Sequence, residues 1–130
     1  MSDYVTDTHA LYWYLTANPK LGTNAQAAFL AGEQGQAHIY VPSIVLAELY
    51  YLNVKYNQPL VFAQEYERLT MSGQFHFVEF RAADVLRFDA LAAIPEMHDR
   101  MIVGVAYARQ LPLLTRDNEI ATSGVIQTIW

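Results

Sequence analysis

Five short runs rich in β-branched and aromatic residues punctuate the chain: Tyr4 to Thr6, His38 to Val41, Phe75 to Phe80, Leu111 to Thr115 and Val125 to Trp130. Each reads as a strand. Between them lie segments of helical character, Thr8 to Leu15, Thr23 to Gly32, Ser43 to Tyr56, Pro59 to Met71, Arg81 to Leu91 and Met97 to Gln110. This alternation constrains the fold more than any other feature. Strands separated by helices pair in parallel, and a parallel sheet needs helices on both faces, so the expected class is three-layer α/β. Thr23 and Ser43 are candidate N-caps, Gly32 a candidate helix end and Pro59 a candidate helix start. Gly73 and Pro95 mark loops.

Composition narrows the function classes. The 130 residues are expected to form a single domain, 1–130, with no repeat, low-complexity tract or linker. Hydrophobic residues make up 53% and charged residues 16%, but no apolar run reaches the roughly 18 residues that span a bilayer. The first residues are acidic where a secretory signal would be basic and then apolar, so the expected location is the cytoplasm, with no membrane partner. With no cysteine, the chain can form neither disulfides nor thiolate sites, and any metal must sit on oxygen or imidazole. A net charge of -5 argues against binding nucleic acid through a broad basic surface, unless a divalent cation or a second subunit supplies positive charge.

The carboxylates carry the chemical signal. Glu48 is the one charged residue in "PSIVLAELYYLNV", and in a helix it shares a face with Ile44, Val45, Tyr51 and Leu52. An ionised carboxylate on an apolar face must be paired or become protonated. A salt bridge to Arg100 or Arg116 is one resolution. Asp7 ends the first strand and Asp117 follows the strand "LPLLT", so both fall at the carboxyl edge of a parallel sheet, where ligands bind. Taken singly, each is explained as an N-cap or Asx-turn residue. Asp99 opens the helix that leads into the strand before Asp117, where a first-turn acid also suits the helix dipole. Glu48 lies five residues past Ser43, about 7.5 Å along a helix axis, within reach of the same rim. Four carboxylates gathered there would repel one another unless a cation intervened, and oxygen-only ligation suits Mg²⁺ or Mn²⁺.

The ordered set "VTDTHALYWYL", "VPSIVLAELYYL", "HDRMIVGVAYARQLPLLTRD" and "VIQTIW" resembles a PIN domain, most closely the VapC-type ribonuclease toxins of bacterial toxin-antitoxin pairs, across essentially the whole chain. The resemblance implies a parallel five-stranded sheet in the order 3-2-1-4-5. It also implies an acidic site on Asp7, Glu48, Asp99 and Asp117, with Thr115 as the small hydroxyl residue two before the last acid. Mg²⁺ or Mn²⁺ would be held by Asp7, Asp99 and Asp117. The implied activity is hydrolysis of RNA phosphodiester bonds, and the implied partners are an RNA substrate, a cognate antitoxin and a second copy of the chain in a homodimer.

Other residues carry less weight than this set. Glu96 is an extra acid read as solvated, and Arg100 and Arg116 either contact phosphate or neutralise the acids. His9, two residues after Asp7, and His98, directly before Asp99, are candidates for a general base or ligand but are read as supporting or surface residues, and His38 and His76 as structural. Among the aromatics Tyr12, Trp13, Tyr14, Tyr50, Tyr51, Phe62 and Tyr66, core packing explains most, and any that stay exposed suit a dimer surface or a groove for an antitoxin segment. No nucleophile elbow or phosphate-binding glycine loop is present. A phosphatase of the haloacid dehalogenase type needs a second acid two residues after the first, where His9 stands. The remaining alternative keeps the fold as a non-catalytic module that binds protein or RNA.

Overall fold

In a computed structural model, which describes residues 2–130, all five strands form one parallel sheet in the order β3-β2-β1-β4-β5. The strands are β1 (Ser2–Thr6), β2 (Ala37–Pro42), β3 (Phe75–Val78), β4 (Leu113–Leu114) and β5 (Thr128–Ile129). Six α-helices complete the three-layer fold: α1 (Thr8–Leu15), α2 (Thr23–Glu33), α3 (Ser43–Lys55), α4 (Phe62–Met71), α5 (Met97–Arg109) and α6 (Asn118–Thr122). Both class and strand order agree with expectation. The central strand β1 pairs with β2 on one side and β4 on the other, and Val5, Ile39, Val41, Leu113 and Leu114 are fully buried. Leu11, Phe29, Leu49, Val103 and Ala106 join them in one apolar cluster.

Local chemistry corrects several expected boundaries. The N-cap of α2 is Gly22 rather than Thr23, and α2 runs through Gly32 to Glu33. Gly32 is there for packing: a Cβ on it would lie 2.6 Å from the side chain of Gln74, which donates to Phe29 O at 2.8 Å. The left-handed residue that closes this turn is Gly35, at φ 73°. Pro42 caps α3, which frees the Ser43 hydroxyl to accept the Phe80 N–H at 3.2 Å and draws the chain out of the sheet after Val78. The ladder of β4 is shorter than expected, because Pro112 has no N–H to offer. Residues 82–91, expected to be α-helical, form a 3₁₀ helix (Ala82–Leu91). Asp84 pairs there with Arg81 at 3.4 Å and Arg87 at 2.9 Å, each three residues away, a spacing that 3₁₀ geometry brings into line. The short helix α6 had no apolar periodicity to announce it.

α4 begins at Phe62, not Pro59, because Leu60 is bound elsewhere. The buried Asn53 of α3 donates through Nδ2 to Leu60 O at 2.9 Å and accepts the Leu60 N–H through Oδ1 at 3.0 Å. This pair of bonds holds a loop in which Asn57 and Gln58 are both left-handed, at φ 64° and 56°. Truncating Asn53 to Ala leaves two backbone groups buried without partners, each worth about 1–3 kcal/mol. Urea denaturation of Asn53→Ala is expected to give an unfolding free energy lower by about 2–6 kcal/mol. A loss within 0.5 kcal/mol (about the scatter for a surface substitution) would mean that the loop holds itself.

Candidate active site

Pairing of β1 with β4 sets Thr6 opposite Leu114, so Asp7 and Thr115 leave the sheet side by side at its carboxyl edge. The Asp7 N–H donates to Leu114 O at 3.1 Å and completes the ladder. Its side chain then caps α1, with Oδ1 accepting the Ala10 N–H at 2.9 Å. Two residues past Thr115, Asp117 repeats the device on α6: Oδ1 accepts the Ile120 N–H at 3.2 Å, and its own N–H donates to Thr115 Oγ1 at 3.1 Å. The ordinary capping role of both aspartates is therefore real. One oxygen of each is used in capping.

Asp99 stands in the first turn of α5, its N–H donating to Glu96 Oε2 at 2.7 Å. Glu96 is thus the N-cap of α5, not a merely solvated acid. Glu48 is half-buried on α3, which packs against both α1 and α5. Neither arginine expected as its partner reaches it. Arg100 turns away, its Nε donating to Ile94 O and its Nη2 to Ala92 O at 3.5 Å. Arg116 lies over the Trp13 ring at 4.4 Å. Glu48 instead accepts the buried Thr8 hydroxyl through Oε1 at 2.7 Å, and His98 Nδ1 stands 4.0 Å from Oε2 and 3.2 Å from Glu96 Oε1. Thr8 escapes a reading of the sequence because a threonine at a helix start is unremarkable until its partner 40 residues away is known.

Asp7, Glu48, Asp99 and Asp117 line one cleft of about 710 Å³, and His9, His98 and Arg116 line it too. Thr115 is buried beneath it. Burial, together with the charges of Asp117 and Asp99, raises the Asp7 pKa to about 6 against the pull of the Thr115 hydroxyl and the Ala10 N–H. Asp99 is likewise raised to about 6, first by burial and then by Glu96, Asp117 and Glu48. Among the described residues, no three His, Asp or Glu side chains already stand as a set of metal ligands, so the acids share a cleft without closing on one point. The donor chemistry nonetheless suits a hard divalent cation. All four acids offer oxygen, and two of them are held towards the neutral form first by burial and then by neighbouring acids, both of which a bound cation offsets.

His38 and His76 lie outside this cleft on neighbouring strands, with Nδ1 and Nε2 2.7 Å apart. Tyr12 and Trp13 are buried in the core, and Tyr14 stacks on Phe29 at 4.3 Å. Tyr50, Tyr51 and Tyr66 are exposed, with Tyr51 73% accessible at the edge of the acidic cleft.

A parallel sheet with acids from three strand–helix or loop–helix junctions at one edge defines an α/β protein with an acidic cleft at the carboxyl ends of its strands. The chain belongs to the PIN domain family, whose model matches residues 4–124. Curated protein sequences yield no significant match. The fold is similar to that of VapBC2 from Rickettsia felis bound to a fragment of its promoter DNA, with a TM-score of 0.69 and 19% identity over 98% of this chain and 97% of that one. It is similar to DNA-bound VapBC from Salmonella typhimurium, with a TM-score of 0.69 and 19% identity over 99% and 98%. A toxin-antitoxin complex from Klebsiella pneumoniae gives a TM-score of 0.67 and 19% identity over 98% and 96%. At these identities the likeness is one of fold.

Ionisation of Asp7 sets a pH dependence of stability. Its folded pKa of about 6 lies above the ordinary 3.8, so the unfolded chain ionises first, and stability is lost as pH rises from about 4 through 6. Asn caps a helix as well as Asp does. In metal-free protein, Asp7→Asn is expected to raise the unfolding free energy at pH 7.5 by on the order of 3 kcal/mol. The gain should vanish by pH 4. Urea titrations followed by tryptophan fluorescence check this, and equal stability of variant and parent at pH 7.5 contradicts it.

Proposed function

We propose that the chain is a Mg²⁺- or Mn²⁺-dependent endoribonuclease, the toxin of a toxin-antitoxin pair, acting in the cytoplasm as a homodimer. The observation that carries this reading is the gathering of Asp7, Glu48, Asp99 and Asp117 in one cleft at the carboxyl edge of the sheet. Membership of the PIN family supports it, as do structural neighbours described as toxin-antitoxin complexes.

Asp7, Asp99 and Asp117 would hold the ion. When bound, a divalent cation supplies a water of lowered pKa and polarises the scissile phosphate. The chain's own residues do the rest. Thr115 fixes the backbone of Asp117, and the Thr8 hydroxyl holds one Glu48 oxygen, leaving the other to orient the attacking water. His98 stands beside Glu48 and is placed to relay a proton at the cleft wall. The acidic floor and the apolar wall at Tyr51 and Leu52 also suit an antitoxin segment carrying a cation beside apolar side chains.

One observation favours the second reading, a PIN-like module that binds RNA or protein without cutting: the acids do not already stand as a closed ligand set. Cleavage assays on single-stranded RNA separate the two. The purified protein is expected to cut RNA with Mg²⁺ or Mn²⁺, to stop when EDTA is added, and to lose about 100-fold or more in rate as Asp7→Asn or Asp99→Asn. RNA left whole by antitoxin-free protein, or cut equally by the variants, favours the binding module.

A further inference from the structure

A second cleft, of about 360 Å³, opens on another face of α5 and receives Arg100, Met101, Gly104 and Ala108, where the acidic cleft takes His98, Asp99 and Ile102. Its walls carry Arg81, Arg87, Arg100 and Arg109, half of the 8 Lys and Arg in the whole chain. Against these four stand two acids, Glu79 and Asp84, so the cleft is positive in a chain whose net charge is -5.

The arginines are oriented but not used up. Arg81 and Arg87 share one oxygen of Asp84, Arg100 is tied to two backbone carbonyls, and Arg109 rests over the Tyr40 ring at 5.4 Å. A guanidinium carries five N–H donors, so each keeps donors for an incoming anion. Phe77, Phe80 and Phe88 also line the cleft, and each is only partly buried. Phe80 stacks near Phe88 at 6.1 Å, and Phe77 against Tyr66 at 5.4 Å. Guanidinium groups beside partly open aromatic faces match a single nucleic-acid strand, whose phosphates take the charge and whose bases stack. An acidic peptide would use the charge but not the rings.

We infer that this cleft binds a stretch of the RNA substrate a few nucleotides from the bond being cut, adding phosphate contacts to those within reach of Lys55 and Arg116 in the acidic cleft. The inference rests on the ribonuclease reading. The geometry that links the two sites is α5, a helix about 10–12 Å across with its side chains, on which Asp99 and Arg100 are consecutive.

Two measurements test it on the full chain. In RNA cleavage, the double variant Arg87→Gln/Arg109→Gln is expected to raise KM several-fold more than it lowers kcat. In fluorescence anisotropy with labelled single-stranded RNA, on an Asp99→Asn background, the slope of log affinity against log salt should shrink by about 0.7 for each phosphate that is no longer neutralised. The Arg87→Lys/Arg109→Lys pair keeps the charge and should restore that slope, which a general loss of folding would not allow. Unchanged KM and salt slope in protein that still cuts RNA overturn this inference and leave the ribonuclease reading standing. If the parent cuts no RNA but binds it with a salt slope that depends on these arginines, the cleft is upheld as an RNA site and the nuclease reading falls.

Discussion

Everything at the candidate site depends on the parallel pairing of β1 with β4. Because Thr6 lies opposite Leu114, the two strands end at one level, and the residues that follow them emerge together. The Asp7 N–H still belongs to the ladder, through Leu114 O, while its side chain already belongs to α1. Register errors in a sheet move every side chain to the opposite face, so the position of Asp7 is held by the whole buried surface of Val5, Leu113 and Leu114 rather than by local bonds. The apolar core thereby sets the geometry of a polar site.

The cost of that arrangement is electrostatic. Burial and neighbouring charge keep Asp7 and Asp99 well above the usual carboxylate range, a shift partly offset at Asp7 by the Ala10 N–H and the Thr115 hydroxyl. Glu48 is the instructive case. An acid on an apolar helix face invites a search for an arginine, yet the groups that face it are Thr8 and His98, both on the cleft wall. The two candidate arginines are engaged elsewhere, one with carbonyl oxygens and one with an indole ring. The acids thus gather on one side of α5, with Lys55 and Arg116 at the cleft wall but not paired to Glu48, while four arginines collect on the other side.

The alternation of strands and helices and the aspartates that follow β1 and β4 were legible from strong local signals: β-branched runs, helical periodicity and acids placed directly after strands. The strand order was legible only through the resemblance to PIN domains. The bounds of α1 were legible to the residue. Boundaries failed where a long-range bond decided them. Ser43 is turned from cap to acceptor by Phe80, Leu60 is withheld from α4 by Asn53, and Gly32 is required by Gln74 rather than by a helix end. Thr8, the arginine cleft and the exposed tyrosines were illegible for the same reason, since nothing in local spacing tells which side chains the tertiary fold will bring together or leave outside.

The central claim is that the acids of this cleft make one divalent-ion site. Proton release on Mn²⁺ binding measures it most directly, by titration calorimetry in buffers of different ionisation enthalpy. With Asp7 and Asp99 each about half protonated at pH 6, binding to both should expel about one proton in total, falling towards none by pH 8. Mn²⁺ binding that releases no protons at pH 6, or that persists unchanged in the Asp99→Asn protein, would contradict the account.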